Sequence, residues 1–189
     1  MIHEVIVTTT KPDGGVHLAP LGIRRVDEHI IIAPLRPSTT LENLLRTGRA
    51  VLNYTDDVRV FAGCVTGRNQ WPLVASERVP VPRLAGALAH TEIRLVEVED
   101  DPLRPRLTCL PVWEGNHRAY PGFNRAQAAV LELAILVTRL DRLPHDKVSR
   151  EISYLRDAVE KTGGERELEA WSWLMEQVEA HEITVAPSL

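Results

Sequence analysis

The chain has 189 residues, 44% of them hydrophobic and 25% charged, with 22 Lys+Arg against 26 Asp+Glu and a formal net charge of -4. A disordered chain needs fewer hydrophobes and more net charge, and this length can bury the core of one domain, with or without an appended subdomain. Residues 1–123 carry 14 basic and 14 acidic groups and residues 124–189 carry 8 and 12, so neither part has the basic excess of a nucleic-acid surface.

Two cysteines, Cys64 and Cys109, sit among apolar neighbours and read as reduced core thiols, not as a disulfide framework. The start, Met1-Ile-His-Glu-Val, lacks a basic n-region and an apolar h-region, and the apolar runs are too short to span a bilayer. A cytoplasmic protein without membrane contact is expected. Nineteen of the 22 cations are Arg, so a side chain that holds an anion here is expected to do so through a guanidinium.

In chain order, Ile2–Thr10 reads as a strand, Lys11-Pro12-Asp13-Gly14-Gly15 as a turn and Val16–Pro20 as a second strand. Ile23–Val26 and His29–Ala33 form a predicted hairpin around Asp27-Glu28. A helix follows, with Thr39-x-x-Glu42 as a capping box, Leu41, Leu44 and Leu45 on its apolar face and Gly48 as its stop. Ala50–Tyr54 is the next strand. Val58–Val65 fits either a strand or a short helix, and Pro72, Pro80 and Pro82 make the following stretch a loop excursion over the surface of the strand unit. Ile93–Glu99 and Arg106–Val112 are two more strands.

After Asn124 the period becomes helical. Ala126–Leu140 is apolar on most of its circumference, and Pro144 separates it from a helix that ends at Gly163-Gly164. Glu165–Ala180 sets Leu168, Trp171, Leu174, Met175 and Val178 along one stripe. Strands first and helices second predict a β unit over residues 1–123 with a helical subdomain over 124–189.

The chemistry is sparse. Seven scattered His residues, none paired with Cys, Asp or Glu at ligand spacing on a helix, predict no metal site. Nucleophile elbows, P-loops and Rossmann glycine motifs are absent from the sequence. Four polar fragments remain. Arg36-Pro37-Ser38-Thr39-Thr40 joins a strand to a helix start, where a guanidinium, hydroxyls and backbone N–H groups can converge on a phosphate; the hydroxyls serve equally as plain helix caps. Ala19-Pro20-Leu21-Gly22 reads as a strand end whose backbone can face a flat ring, or as a turn. Asn53-Tyr54-Thr55-Asp56-Asp57 is a ligand loop or an Asx turn. Asn124 is a ligand contact or an N-cap.

Taken together, Glu4-Val-Ile-Val-Thr-Thr9, Ala19-Pro-Leu-Gly-Ile23, Arg36-Pro-Ser-Thr-Thr40 with Glu42-Asn-Leu44, Val51-Leu-Asn-Tyr-Thr-Asp-Asp57, Phe123-Asn-Arg-Ala126 and Thr138-Arg139 resemble the domain-of-unknown-function family 447. That family belongs with the flavin reductase-like FMN-binding split barrels and occurs in organisms with tetrahydromethanopterin-linked C1 metabolism. The resemblance implies an antiparallel Greek-key split β-barrel, mainly β with α, that dimerises with FMN near the subunit interface. It places Arg36, Ser38 and Thr40 on the FMN phosphate, the backbone at Leu21 and Gly22 against the isoalloxazine, and Asn53 and Thr55 along the ribityl or ring side. Asn124 and Arg125 either reach a ligand or brace the helices. It implies an FMN-dependent oxidoreductase of unassigned small-molecule substrate, or a flavin-binding accessory protein without turnover. His17 is a candidate proton donor in the first case and a structural histidine otherwise. Residues 66–92, with Trp71 and several prolines, match none of the family's quoted motifs.

Overall fold

The computed structural model describes residues 1–185, in two compact units. The first comprises Met1–Asp56 and Trp71–Tyr120; the second comprises Asp57–Gln70 and the chain from Pro121 onward.

The first unit is a closed barrel. Its strands are β1 (His3–Thr10), β2 (Val16–Val26), β3 (His29–Ile32), β4 (Arg49–Tyr54), β7 (Ala89–Glu99) and β8 (Arg106–Asn116), with β5 (Leu73–Val74) and β6 (Arg83–Leu84) forming a separate small ribbon. The barrel order is β1-β2-β3-β8-β7-β4, closed by β4 against β1, and every pairing is antiparallel. Side chains alternate across each strand, so Val5 and Val7, Ile23, Ile30 and Ile32, Ala50 and Leu52, Ile93, Leu107 and Cys109 fill the interior. Helix α1 (Thr39–Thr47) places Leu41 and Leu44 in that same cluster and plugs the end of the barrel where β1 stops. Leu45, predicted on the same face, is exposed.

Two readings change. The strand break expected near Pro20–Gly22 does not occur, because β2 runs unbroken from Val16 to Val26 and pairs Leu21 with Val5 and Gly22 with Glu4. The cap of α1 is Ser38, not Thr39: its Oγ accepts the Leu41 N–H at 3.2 Å, and Gly48 closes the helix at φ 65°. The excursion does lie over the barrel's outer face. Val79 and Val81 pack on Val51, which explains why residues 5–9 of β1 and 50–53 of β4 are buried on both faces.

The second unit is helical: α2 (Val58–Thr66), α3 (Arg125–Val137), α4 (His145–Thr162) and α5 (Glu165–Val185), with a 3-10 turn at Leu140–Arg142. The ambiguous 58–65 stretch is therefore a helix, capped by Asp57, which accepts the Arg59 N–H at 3.1 Å. Val58 and Ala62 pack with Ala126, Val130 and Leu133 of α3, Ile152 and Val159 of α4, and Trp171, Leu174 and Val178 of α5. Leu168, predicted on that stripe, is half exposed. Gly163 is required where α4 ends, since a Cβ there would lie 2.6 Å from the Val159 carbonyl oxygen. No helix among the described residues is long and apolar enough to cross a membrane.

Candidate functional site

Outward-facing residues of β1, β2, β3 and β8 line an open groove of about 470 Å³ whose floor includes Gly22, Ile31 and Ala33 and whose walls carry Arg24, Arg104 and Arg106. Gly22 lets the neighbouring side chains close over the strand: a Cβ there would lie 2.8 Å from Ile2 Cγ2 and 3.3 Å from Glu4 Oε1. Arg24, Arg104 and Arg106 face the Glu4 carboxylate in this lining, and Glu99 pairs with Arg106 at 3.6 Å, so the groove keeps a small excess of positive charge.

Beyond Ala33 the chain passes to α1, and the Asp100–Arg104 turn is fastened to it. Arg104 Nε donates to the Ala33 carbonyl at 2.9 Å and the Arg36 backbone N–H donates to Leu103 O at 2.9 Å. The Arg36 guanidinium donates to Asp100 at 2.6 Å and to Asp101 O at 3.2 Å. Both partners of that ion pair are solvent-accessible. Asp101 accepts the Arg104 and Leu103 N–H groups, which hold its carboxyl below the ordinary aspartate range. Arg36 thus stands exposed beside the α1 N-terminus, where Ser38 caps and Thr40 is buried.

The structure brings some of the expected residues together and separates others. Gly22 lines the groove, and Arg36 bonds to the Asp100–Arg104 turn that supplies Arg104 to the same lining. Leu21 points the opposite way from Gly22 and packs against the interior cluster. Asn53 is fully buried; its Nδ2 donates to Ile6 O at 3.0 Å and Val51 O at 3.3 Å, and its Oδ1 accepts the Leu84 N–H at 2.7 Å. That amide ties the excursion to the barrel. Thr55 follows the end of β4, half-buried. In the helical unit Asn124 caps α3, accepting the Ala126 and Gln127 N–H groups and donating to Thr162 O at 3.0 Å; Arg125 is exposed on the first turn. His17 is half-buried, and burial together with nearby Lys11 lowers its pKa below the ordinary value, so little of it carries the proton at pH 7.

Two polar groupings escaped sequence reasoning. At the barrel end opposite α1, Arg25 Nη2 donates to Tyr54 Oη (3.1 Å), Thr91 Oγ1 (3.1 Å) and Glu114 Oε1 (2.5 Å), and the guanidinium holds the Glu114 carboxyl below its usual range. On the outer face, buried His90 lies with its Nε2 3.3 Å from Glu92 and 3.2 Å from Glu77. The period-2 spacing of His90 and Glu92 on a strand was the available signal for the second grouping; the first joins four strands and has no local signal.

Known proteins resemble this chain along its length. Residues 3–118 match the family described as protein of unknown function (DUF447), N-terminal domain, and residues 124–176 match its C-terminal counterpart. An FMN-bound protein of that family from Methanosarcina mazei superposes with a TM-score of 0.80 at 22% identity, covering 93% of this chain and 94% of that one. A flavoredoxin from Methanosarcina acetivorans gives 0.55 at 17% identity over 63% and 70% of the two chains. The 2-nitrobenzoate 2-nitroreductase of Pseudomonas fluorescens gives 0.52 at 21% identity over 60% and 64%. These likenesses show a shared barrel fold. No curated protein matches the sequence.

Proposed function

The chain belongs to the DUF447 family, and we propose that it binds FMN in the groove over Gly22 and works as a flavin-dependent oxidoreductase. The observation that carries the reading is the groove itself, lined by Gly22, Arg24, Arg104 and Arg106, with Arg36 outside that lining but bonded to the Asp100–Arg104 turn that supplies Arg104 to it. The FMN-bound relative from Methanosarcina mazei supports it through the shared fold.

The residues present fit the group. Arg36, with the Ser38 hydroxyl and the first N–H groups of α1, would hold the phosphate, because a guanidinium and a helix N-terminus both favour a dianion. Thr40 lies buried in the first turn of that helix. The Leu21-Gly22 backbone would face the ring system, with Leu21 anchoring the strand in the core and the Ile2 and Glu4 side chains, which lie over Gly22, moving aside for the ring. Asn53 holds β4 and the excursion in register, and Thr55 extends that edge. Asn124 and Arg125 are assigned to the start of α3. Bound FMN would supply hydride transfer; the protein's part is to bind, orient and cover it.

The groove is open to solvent on one side, which favours a homodimer in which a second copy covers the flavin. Exposed Val96, Val98 and Leu103 on and beside the β7–β8 hairpin offer apolar surface for that contact. A place in tetrahydromethanopterin-linked metabolism rests on the family resemblance alone. The test of binding is titration of FMN fluorescence with the parent protein and with Gly22→Val. Saturable quenching by the parent, weakened at least about ten-fold in the variant, is expected for a ring seated on that floor. Equal binding by both would move the site elsewhere. Anaerobic reduction by NADH, NADPH or a reduced deazaflavin separates an oxidoreductase from a binder without turnover.

A further inference from the structure

The outer face of β7 carries a second constellation, away from the groove. His90 and Glu92 are two residues apart on a strand and so point to one side; both side chains are fully buried beneath the excursion. Glu77, from the excursion, brings its carboxylate over them. His90 Nε2 is 3.2 Å from Glu77 and 3.3 Å from Glu92. We propose that Glu77, His90 and Glu92 form a binding site for a divalent first-row transition ion of the zinc class, which fastens the excursion to the barrel.

Glu92 is built to be a rigid ligand. Its Oε1 accepts the Glu77 N–H and its Oε2 accepts those of Arg78 and Val79, each at 2.7 Å. A carboxylate offers about four lone-pair directions; three are taken by the backbone, and the remaining one on Oε1 looks toward His90. The imidazole is braced from its other side. His90 Nδ1 lies 2.9 Å from His117 Nε2, with the rings stacked at 5.1 Å and 10° between planes. A second ring nitrogen held by a neighbour is the usual way in which a metal-binding histidine is oriented. Gly115, opposite His90 across the β7–β8 ladder, leaves room for this stack, since a Cβ would lie 2.8 Å from His90 Cε1.

The separations suit an ion. Ligand atoms bound about 2.0–2.1 Å from zinc in a tetrahedral shell stand roughly 3.3 Å apart, which is the spacing of Nε2 from both carboxylates. Charge points the same way. Two carboxylates meet around one imidazole, and the charge of a dication balances theirs. When Nδ1–H is donated to His117, Nε2 is an acceptor facing two further acceptors, and only a proton or a metal ion can sit between them. Imidazole with two carboxylates selects a borderline ion such as zinc over calcium or magnesium, which prefer all-oxygen shells. Glu77 is solvent-accessible, so the ion has an entry path and its fourth position is open to water.

The test is calorimetric titration with zinc chloride of the full-length protein after chelator treatment and dialysis, together with the metal content of the protein as purified. One saturable site of micromolar affinity or tighter is expected, and Glu77→Gln should weaken it by at least about ten-fold. Glu77 is chosen because its backbone N–H, not its side chain, anchors the excursion; thermal melts of both metal-free proteins check that the fold is kept. Failure of zinc to saturate the parent protein, or a Glu77→Gln protein whose affinity falls by less than that, overturns the proposal and leaves a proton at the centre of the cluster.

Discussion

Arg36 and Glu92 show how differently two charged residues can serve one barrel. Arg36 is held in an exposed pair with Asp100, and exposed pairs contribute little to stability. Arg36→Ala should therefore leave the thermal midpoint nearly unchanged while FMN affinity falls at least about ten-fold, read by equilibrium titration. Glu92 is the reverse. Gln at this position would turn an amide NH2 toward backbone donors that now meet a carboxylate, at a cost on the order of 3 kcal/mol, visible in urea unfolding. Burial alone would raise the Glu92 pKa, but the N–H groups of Glu77, Arg78 and Val79, with His90, outweigh it and hold the carboxyl below the ordinary glutamate value. A depressed folded pKa means stability that is present above the unfolded value of about 4.5 and is lost as pH falls through the lower folded value. Amide exchange in residues 76–81 should accelerate in that acid window before the barrel strands respond.

Among the elements, α1 decides the most. It plugs the barrel with Leu41 and Leu44 and presents its N-terminus beside the groove, so one short helix links core and site. Leu44→Ala should cost about 2–5 kcal/mol through the cavity it leaves. Ser38→Ala should cost about 1 kcal/mol through the lost cap and also lower FMN affinity, both read on the same purified variant by melting and titration. This helix was legible in the sequence because its stop signal and leucine spacing are local, although the cap falls one residue earlier than Thr39-x-x-Glu42 implies. β2 was not legible as one strand. Pro20 and Gly22 carry turn signals, and only pairing with β1 and β3 overrides them. Asn53 looked like a loop ligand for a similar reason: its burial comes from an excursion whose own sequence gives no hint of where it lands. His90 and Glu92 carry no helical ligand spacing; they come together because a strand places i and i+2 on one side.

Across the whole molecule, the family match runs through both units, over residues 3–118 and 124–176, so barrel and helices recur together. The change of sequence character near residue 123 separates most of the helical unit, but α2, between two barrel strands in the chain, belongs with the later helices. No local pattern could assign it, because amphipathic residues 58–66 specify a buried face and not which partner covers it. If a second copy closes the groove, sedimentation of the FMN-loaded protein should give a dimer, and a monomer with fully bound flavin would remove that part of the account. FMN binding at this site is tested first by the absorption spectrum of the purified protein, followed by FMN titration of the parent and of an Arg36→Ala, Ser38→Ala double variant. Flavin bands, or tight saturable binding by colourless protein, are expected, with affinity lost in the variant. A colourless parent that ignores FMN, or a double variant that binds it equally well, would contradict the assignment of this groove.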